Sequence, residues 1–224
     1  MNRIVQRQSS PPYLASPFHL GILWLVLIIF WWGGGLVTLG QGRMSDVLLS
    51  SANDKIIAVT SSGQFDIRLS ANEIIQNTKA HGLTALAITS RRLLGFSSTL
   101  QHWGELPLDV NEQVIQAKVL RNFCLVTTRQ HLYGFQDTLA QWTGESLSGS
   151  EVILDVRAQK NLALVVTTDR LLGFSAFMSR FHVMALSGDE RVEKIEYTDD
   201  TFLVKTSRRA YIFNSRKAGW AELN

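Results

Sequence analysis

From Ser45 onward the apolar residues come in short runs of about five to seven, separated by polar turns roughly every ten residues. Runs that short suit strands better than helices, and their even spacing predicts an antiparallel all-β domain. The stretch 151–186 shows the unit: Glu151–Ala158, Leu162–Thr167, Leu171–Ser175 and Phe181–Leu186 each predict one strand. A different pattern lies ahead of this domain. Residues 1–19 are polar, with Pro11, Pro12 and Pro17, and predict an irregular tail. Leu20 to Leu39 then runs without a charge. As a helix it would measure about 30 Å, enough for a single transmembrane span. Its length and the lack of an Ala-x-Ala site argue against a cleaved signal peptide. Gly33, Gly34 and Gly35 would either admit close packing of a second helix or loosen the end of the span. Residues 40–45 remain as a short linker and 46–224 as the β domain.

The β domain repeats. Thr89-Ser90-Arg91-Arg92-Leu93-Leu94-Gly95-Phe96 returns at Thr128–Phe135, Thr167–Phe174 and Thr206–Phe213, each time after 39 residues. Trp103, Trp142, Phe181 and Trp220 keep the same step. Two columns in one register mean an internal repeat, and four strands in about 40 residues is the size of one propeller blade. The rhythm resembles the blades of quinoprotein-like and WD40-like β-propellers across residues 45–224. The Trp-Asp dipeptide and Gly-His pair of WD40 blades are missing, as are the cofactor motifs of quinoprotein dehydrogenases, so the resemblance implies architecture and carries no site residues. Expected blades are Asp46–Leu69, Glu73–Pro107, Glu112–Leu147, Glu151–Leu186 and Arg191–Leu223. The copy in the first, Thr60–Ile67, lies only 29 residues before Thr89, so that blade is short of one strand. With no Trp counterpart there, the missing strand is expected to be the outermost. The fold class is then a five-bladed β-propeller with a three-stranded first blade, preceded by one transmembrane helix. Phe65, Asp66, Ile67 and Arg68 would form an exposed edge, open to strand addition or covered by the chain itself. Ring closure would fall to the first blade packing on the fifth. Gly95, Gly134 and Gly173 lie mid-strand, where glycine marks close backbone approach.

Charge removes one functional class. The formal net charge is +3, but Arg3, Arg7 and Arg43 precede residue 45, leaving 19 basic against all 19 acidic side chains in the β domain. A neutral domain lacks the footprint of a nucleic-acid binder. The basic residues flanking Leu20–Leu39 favour a cytoplasmic N-terminus and an extracytoplasmic domain. The short linker keeps the domain near the bilayer, with the turns that begin the first strand of each blade facing it. Those turns share a face with Arg91, Arg92, Arg129, Arg170, Arg208 and Arg209. Unpaired, these would meet lipid phosphates or an acidic membrane subunit; paired with Asp109, Glu112, Glu151, Asp189 and Glu190, they would be solvated turns worth about 0–1 kcal/mol each.

Catalytic chemistry is not evident. The five histidines have no metal-site spacing, and no nucleophile elbow or phosphate loop occurs. Cys124 sits in an apolar run and reads as a buried thiol. Asp199-Asp200 fits a β-turn. The sequence therefore predicts a non-catalytic accessory, assembly or scaffold subunit of a larger integral-membrane complex, respiratory or photosynthetic by its attachment pattern. Expected partners are membrane lipid and other integral-membrane subunits, with no cofactor, metal, nucleic acid or small-molecule substrate. One rival is a lectin-like module for an envelope glycan or polymer. The other is a hydrolase with its site in the axial channel, near Gln76, Gln116, Asp155 and Glu196.

Overall fold

The computed structural model describes residues 47–52, 54–178, 180–217 and 219–223. The expected tail, the span with Gly33, Gly34 and Gly35, and the linker lie outside the described residues. No helix among the described residues is long and apolar enough to cross a membrane.

Nineteen strands form five antiparallel sheets in chain order. The first holds β1 (Leu48–Ala52), β2 (Lys55–Thr60) and β3 (Gly63–Arg68). The second holds β4 (Ile75–His81), β5 (Thr84–Thr89), β6 (Arg92–Ser97) and β7 (His102–Pro107). The third holds β8 (Gln116–Val119), β9 (Phe123–Thr127), β10 (His131–Gln136) and β11 (Gln141–Ser146). The fourth holds β12 (Ile153–Gln159), β13 (Leu162–Thr167), β14 (Arg170–Ser175) and β15 (His182–Ala185). The fifth holds β16 (Val192–Tyr197), β17 (Thr201–Thr206), β18 (Ala210–Asn214) and β19 (Trp220–Leu223). Each is a simple meander, the blade pattern of a β-propeller.

Hydrophobic clusters bind each sheet to the next: first to second, second to third, third to fourth, and fourth to fifth. β5, β9 and β13 are buried along their whole length, which is why their runs are apolar without alternation. The glycine column makes the approach possible. A Cβ on Gly95 would lie 2.5 Å from the Phe135 ring, and one on Gly173 2.7 Å from Phe213. Each blade's phenylalanine thus fills the space its predecessor leaves by having no side chain. The tryptophans stitch the outer strands: Trp103, Trp142 and Trp220 donate to the carbonyls of Phe65, Gly104 and His182 in the preceding sheet, at 2.9–3.1 Å.

The first sheet has three strands, but the absent one is not the outermost. Three observations place β3 with the outer strands. Trp103 bonds to Phe65 as Trp142 bonds to Gly104. The pairs Ala58↔Phe65 and Val59↔Gln64 correspond to Gly95↔Gly104 and Phe96↔Trp103. Gln101, in the turn between the third and fourth strands of its blade, reaches Ser62 at 3.1 Å. Blade 1 therefore lacks the inner strand, the one equivalent to β4. The sequence misleads because the turn at Ser61-Ser62 has two residues where its counterpart, 98–101, has four, so Thr60 resembles the wrong copy of the motif.

Burial also marks the ends of the series. In β2, β17 and β18 burial alternates. Ile57, Val59, Leu203 and Ile212 are part-exposed and Lys205 is exposed, where their equivalents in the middle sheets are buried. The expected joint between the first and fifth sheets shows none of the burial found at the other four.

Candidate functional site

A repeated polar clasp dominates the face carrying the blade-to-blade turns. In each turn a glutamate, at Glu73, Glu112, Glu151 or Glu190, folds back onto its own turn. One carboxylate oxygen accepts from the amide of Ser70, Asp109, Ser148 or Ser187, at 2.8–3.2 Å. The glutamate side chains are 0–2% exposed. Three of them bind the arginine that opens the third strand in two-pronged fashion. Arg92 donates to Glu73 at 2.9 and 3.0 Å, Arg170 to Glu151 at 2.9 and 3.0 Å, and Arg209 to Glu190 at 3.3 and 2.6 Å. The threonine ending the second strand completes the clasp: Thr128, Thr167 and Thr206 donate to their glutamates at 2.6–2.7 Å. Arg92 and Arg170 also donate to the carbonyls of Arg68 and Ser146 in the preceding sheet. The clasps thus pin blade to blade at one end of the strands. Geometry of this kind, charged and two-pronged, is the strong form of hydrogen bonding.

The electrostatics follow. Burial opposes the charge on Glu73, but hydrogen bonds from Arg92, the Ser70 amide and Thr89 outweigh it and hold the carboxyl at about 2. Glu190 is held at about 2 by Arg209, against its own burial. Glu112 and Glu151 are lowered too, again with hydrogen bonds overcoming burial.

Blade 3 departs from the pattern. His131 replaces the arginine and meets Glu112 at 2.8 Å, and Tyr133 adds its hydroxyl at 3.0 Å. Burial and then the Glu112 carboxylate push the Tyr133 phenol up. Asp109, Glu112 and His131 offer ligand atoms within 4.8 Å of one another. Glu112, however, already accepts from Thr128, His131, Tyr133 and the Asp109 amide, so the group works as a clasp.

The six arginines singled out by sequence therefore divide. Arg92, Arg170 and Arg209 are clasp members. Arg208 pairs with Asp189. Arg91 and Arg129 are exposed and make no ion pair among the described residues. Around them, at the same end of the strands, stand Ile74, Val110, Ile115, Val152 and Leu154, which are 55–91% exposed. The edge residues Phe65 and Arg68 lend their carbonyls to Trp103 and Arg92, and Asp66 pairs with Lys55 at 3.7 Å.

No family model matches the sequence, and no curated protein matches it. Solved structures that resemble it include the N-terminal domain of Nup159, yeast RCC1 (Prp20) crystallised with Kap60, and Kluyveromyces lactis Hsv2. Identities are 10%, 9% and 8%, with 79%, 76% and 80% of this chain covered and TM-scores of 0.35, 0.39 and 0.37. The chain spans a little over half of each, 57%, 54% and 59%. The propeller-type assignment stands on the repeat and the sheet order.

The remaining sequence candidates are scattered. Gln76 and Gln116 line one cavity of about 440 Å³. Asp155 pairs with Arg157 at 2.7 Å and Glu196 with Lys194, so these four side chains form no common set. Cys124 is buried, and burial pushes its thiol up to about 12. Asp200 is more than a turn residue: it accepts from Asn161 at 2.7 Å, and Asn161 from Asn122 at 3.1 Å. Sequence reasoning missed that ladder and missed the glutamates as a column. The signal was present, since Glu73, Glu112, Glu151 and Glu190 also recur every 39 residues.

Proposed function

We propose that the protein is a non-catalytic scaffold that docks through the face bearing the blade-to-blade turns, as a membrane-anchored accessory subunit of an integral-membrane complex. One observation carries the reading: on that face exposed aliphatic side chains surround arginines that no acid neutralises, while the remaining strand-opening cations are consumed in clasps. Exposed apolar groups with an intervening charge fit protein–protein contact. The uncharged run Leu20–Leu39 supplies the anchor in this reading, with the N-terminus cytoplasmic and the blades on the other side. The test is purification of the full chain from native membranes in mild detergent, beside the variant Arg91→Ser, Arg129→Ser, Val110→Ser. The variant is expected to melt as the parent does and to lose its co-purifying membrane proteins. An unchanged set of companions would remove this face as the docking surface.

A further inference from the structure

β1 occupies the place of β5, β9 and β13, yet it is exposed along nearly its whole length where they are buried. Among the described residues it pairs only with β2. Its other edge presents backbone N–H and C=O groups where each other blade has a fourth strand, and such edges recruit a strand. We propose that residues 38–44 of this chain pair antiparallel with β1 as the missing inner strand of the first blade.

The repeat sets the occupant and its register. β2 precedes β6 by 37 residues, so β4 corresponds to 38–44 and its turn, Gly82-Leu83, to Ser45-Asp46. Thr38 then falls in line with Ile75, Val114, Ile153 and Val192, β-branched at every copy as a strand start favours. Asp46 falls in line with Asn122, Asn161 and Asp200, residues suited to a tight turn. Carrying over the pairs Thr78↔Ala87 and Asn77↔Ile88 sets Gln41 opposite Ser50 and Gly40 opposite Ser51. The strand would begin at the end of the blades where Ile74 and Val110 are exposed. It would take Thr38 and Leu39 from the end of the expected span and leave no free linker, fixing how the blades hang from whatever precedes them. The inference does not depend on the docking role proposed above.

Two cysteine pairs in the full-length chain test it. Gln41→Cys with Ser50→Cys is in register; Gln41→Cys with Ser51→Cys is shifted by one residue and so points to opposite faces. Under mild oxidation the first should form a disulfide at least about tenfold faster than the second, because only directly opposed Cβ atoms reach bonding distance. Native Cys124, buried, stays out of the reaction. In the unsubstituted chain, amide hydrogens of β1 should exchange as slowly as those of β5. Equal rates in the two pairs, no disulfide in either, or β1 exchanging as fast as an open turn would overturn the proposal.

Discussion

The packing of successive blades comes down to single side chains. Gly173 accepts the ring of Phe213, and the space for a methyl group is already taken. Gly173→Ala is expected to destabilise the fold by about 1–3 kcal/mol, the usual range for overpacking a tight core. Adding Phe213→Leu to it should recover part of that loss. Chemical denaturation reads both, and an unshifted midpoint for Gly173→Ala would mean that the sheets are not locked at this point. The glycine column and its reason were legible in the sequence, because a fixed step and a mid-strand position are both visible there. The separation of Arg91 from Arg92 was not. The two are chain neighbours, and only the strand start at Arg92 decides which one turns onto Glu73 and which is left to solvent.

Between elements, the clasp sets how the strand ends hold together. Glu151→Gln keeps the shape but leaves the Arg170 guanidinium, only 21% exposed, without its full charge partner. A loss of about 2 kcal/mol is expected, in the range for hydrogen bonds to charged groups. Glu196→Gln, on an exposed pair, should change stability by less than about 0.5 kcal/mol. The same geometry dictates a response to acid. Carboxyls held below the ordinary 4.5, as Glu73 and Glu190 are at about 2, stabilise the fold above that ordinary value. Their contribution fades as pH falls from about 5 toward 2. Thermal melts across that window should show progressive loss in the parent, and a shallower slope in Glu151→Gln. The threonine and arginine halves of the clasp stood out in sequence as a motif. The glutamate half did not, because it lies 19 residues before its arginine and only the fold closes that distance. The misplaced strand of the first blade has a similar origin: a turn shortened by two residues shifts the apparent register, and pairing partners, which sequence does not show, restore it.

At the scale of the molecule, the two ends of the strands differ in what they offer. The end with the blade-to-blade turns joins exposed aliphatic residues to Arg91 and Arg129, and it is the end at which a strand over 38–44 would begin. The five-sheet, repeat-built architecture was legible from the 39-residue step; the exposure of single turn residues such as Val110 was not, since a turn's polarity in sequence says nothing of which way its one aliphatic side chain faces. The docking claim is tested most directly by photo-crosslinking in native membranes, with a photoreactive residue at Val110 in one sample and at Leu139, in a turn at the opposite end, in another. Adducts to a second membrane protein at Val110 and none at Leu139 are the predicted result. Adducts at Leu139 alone, or at neither position, would contradict the account.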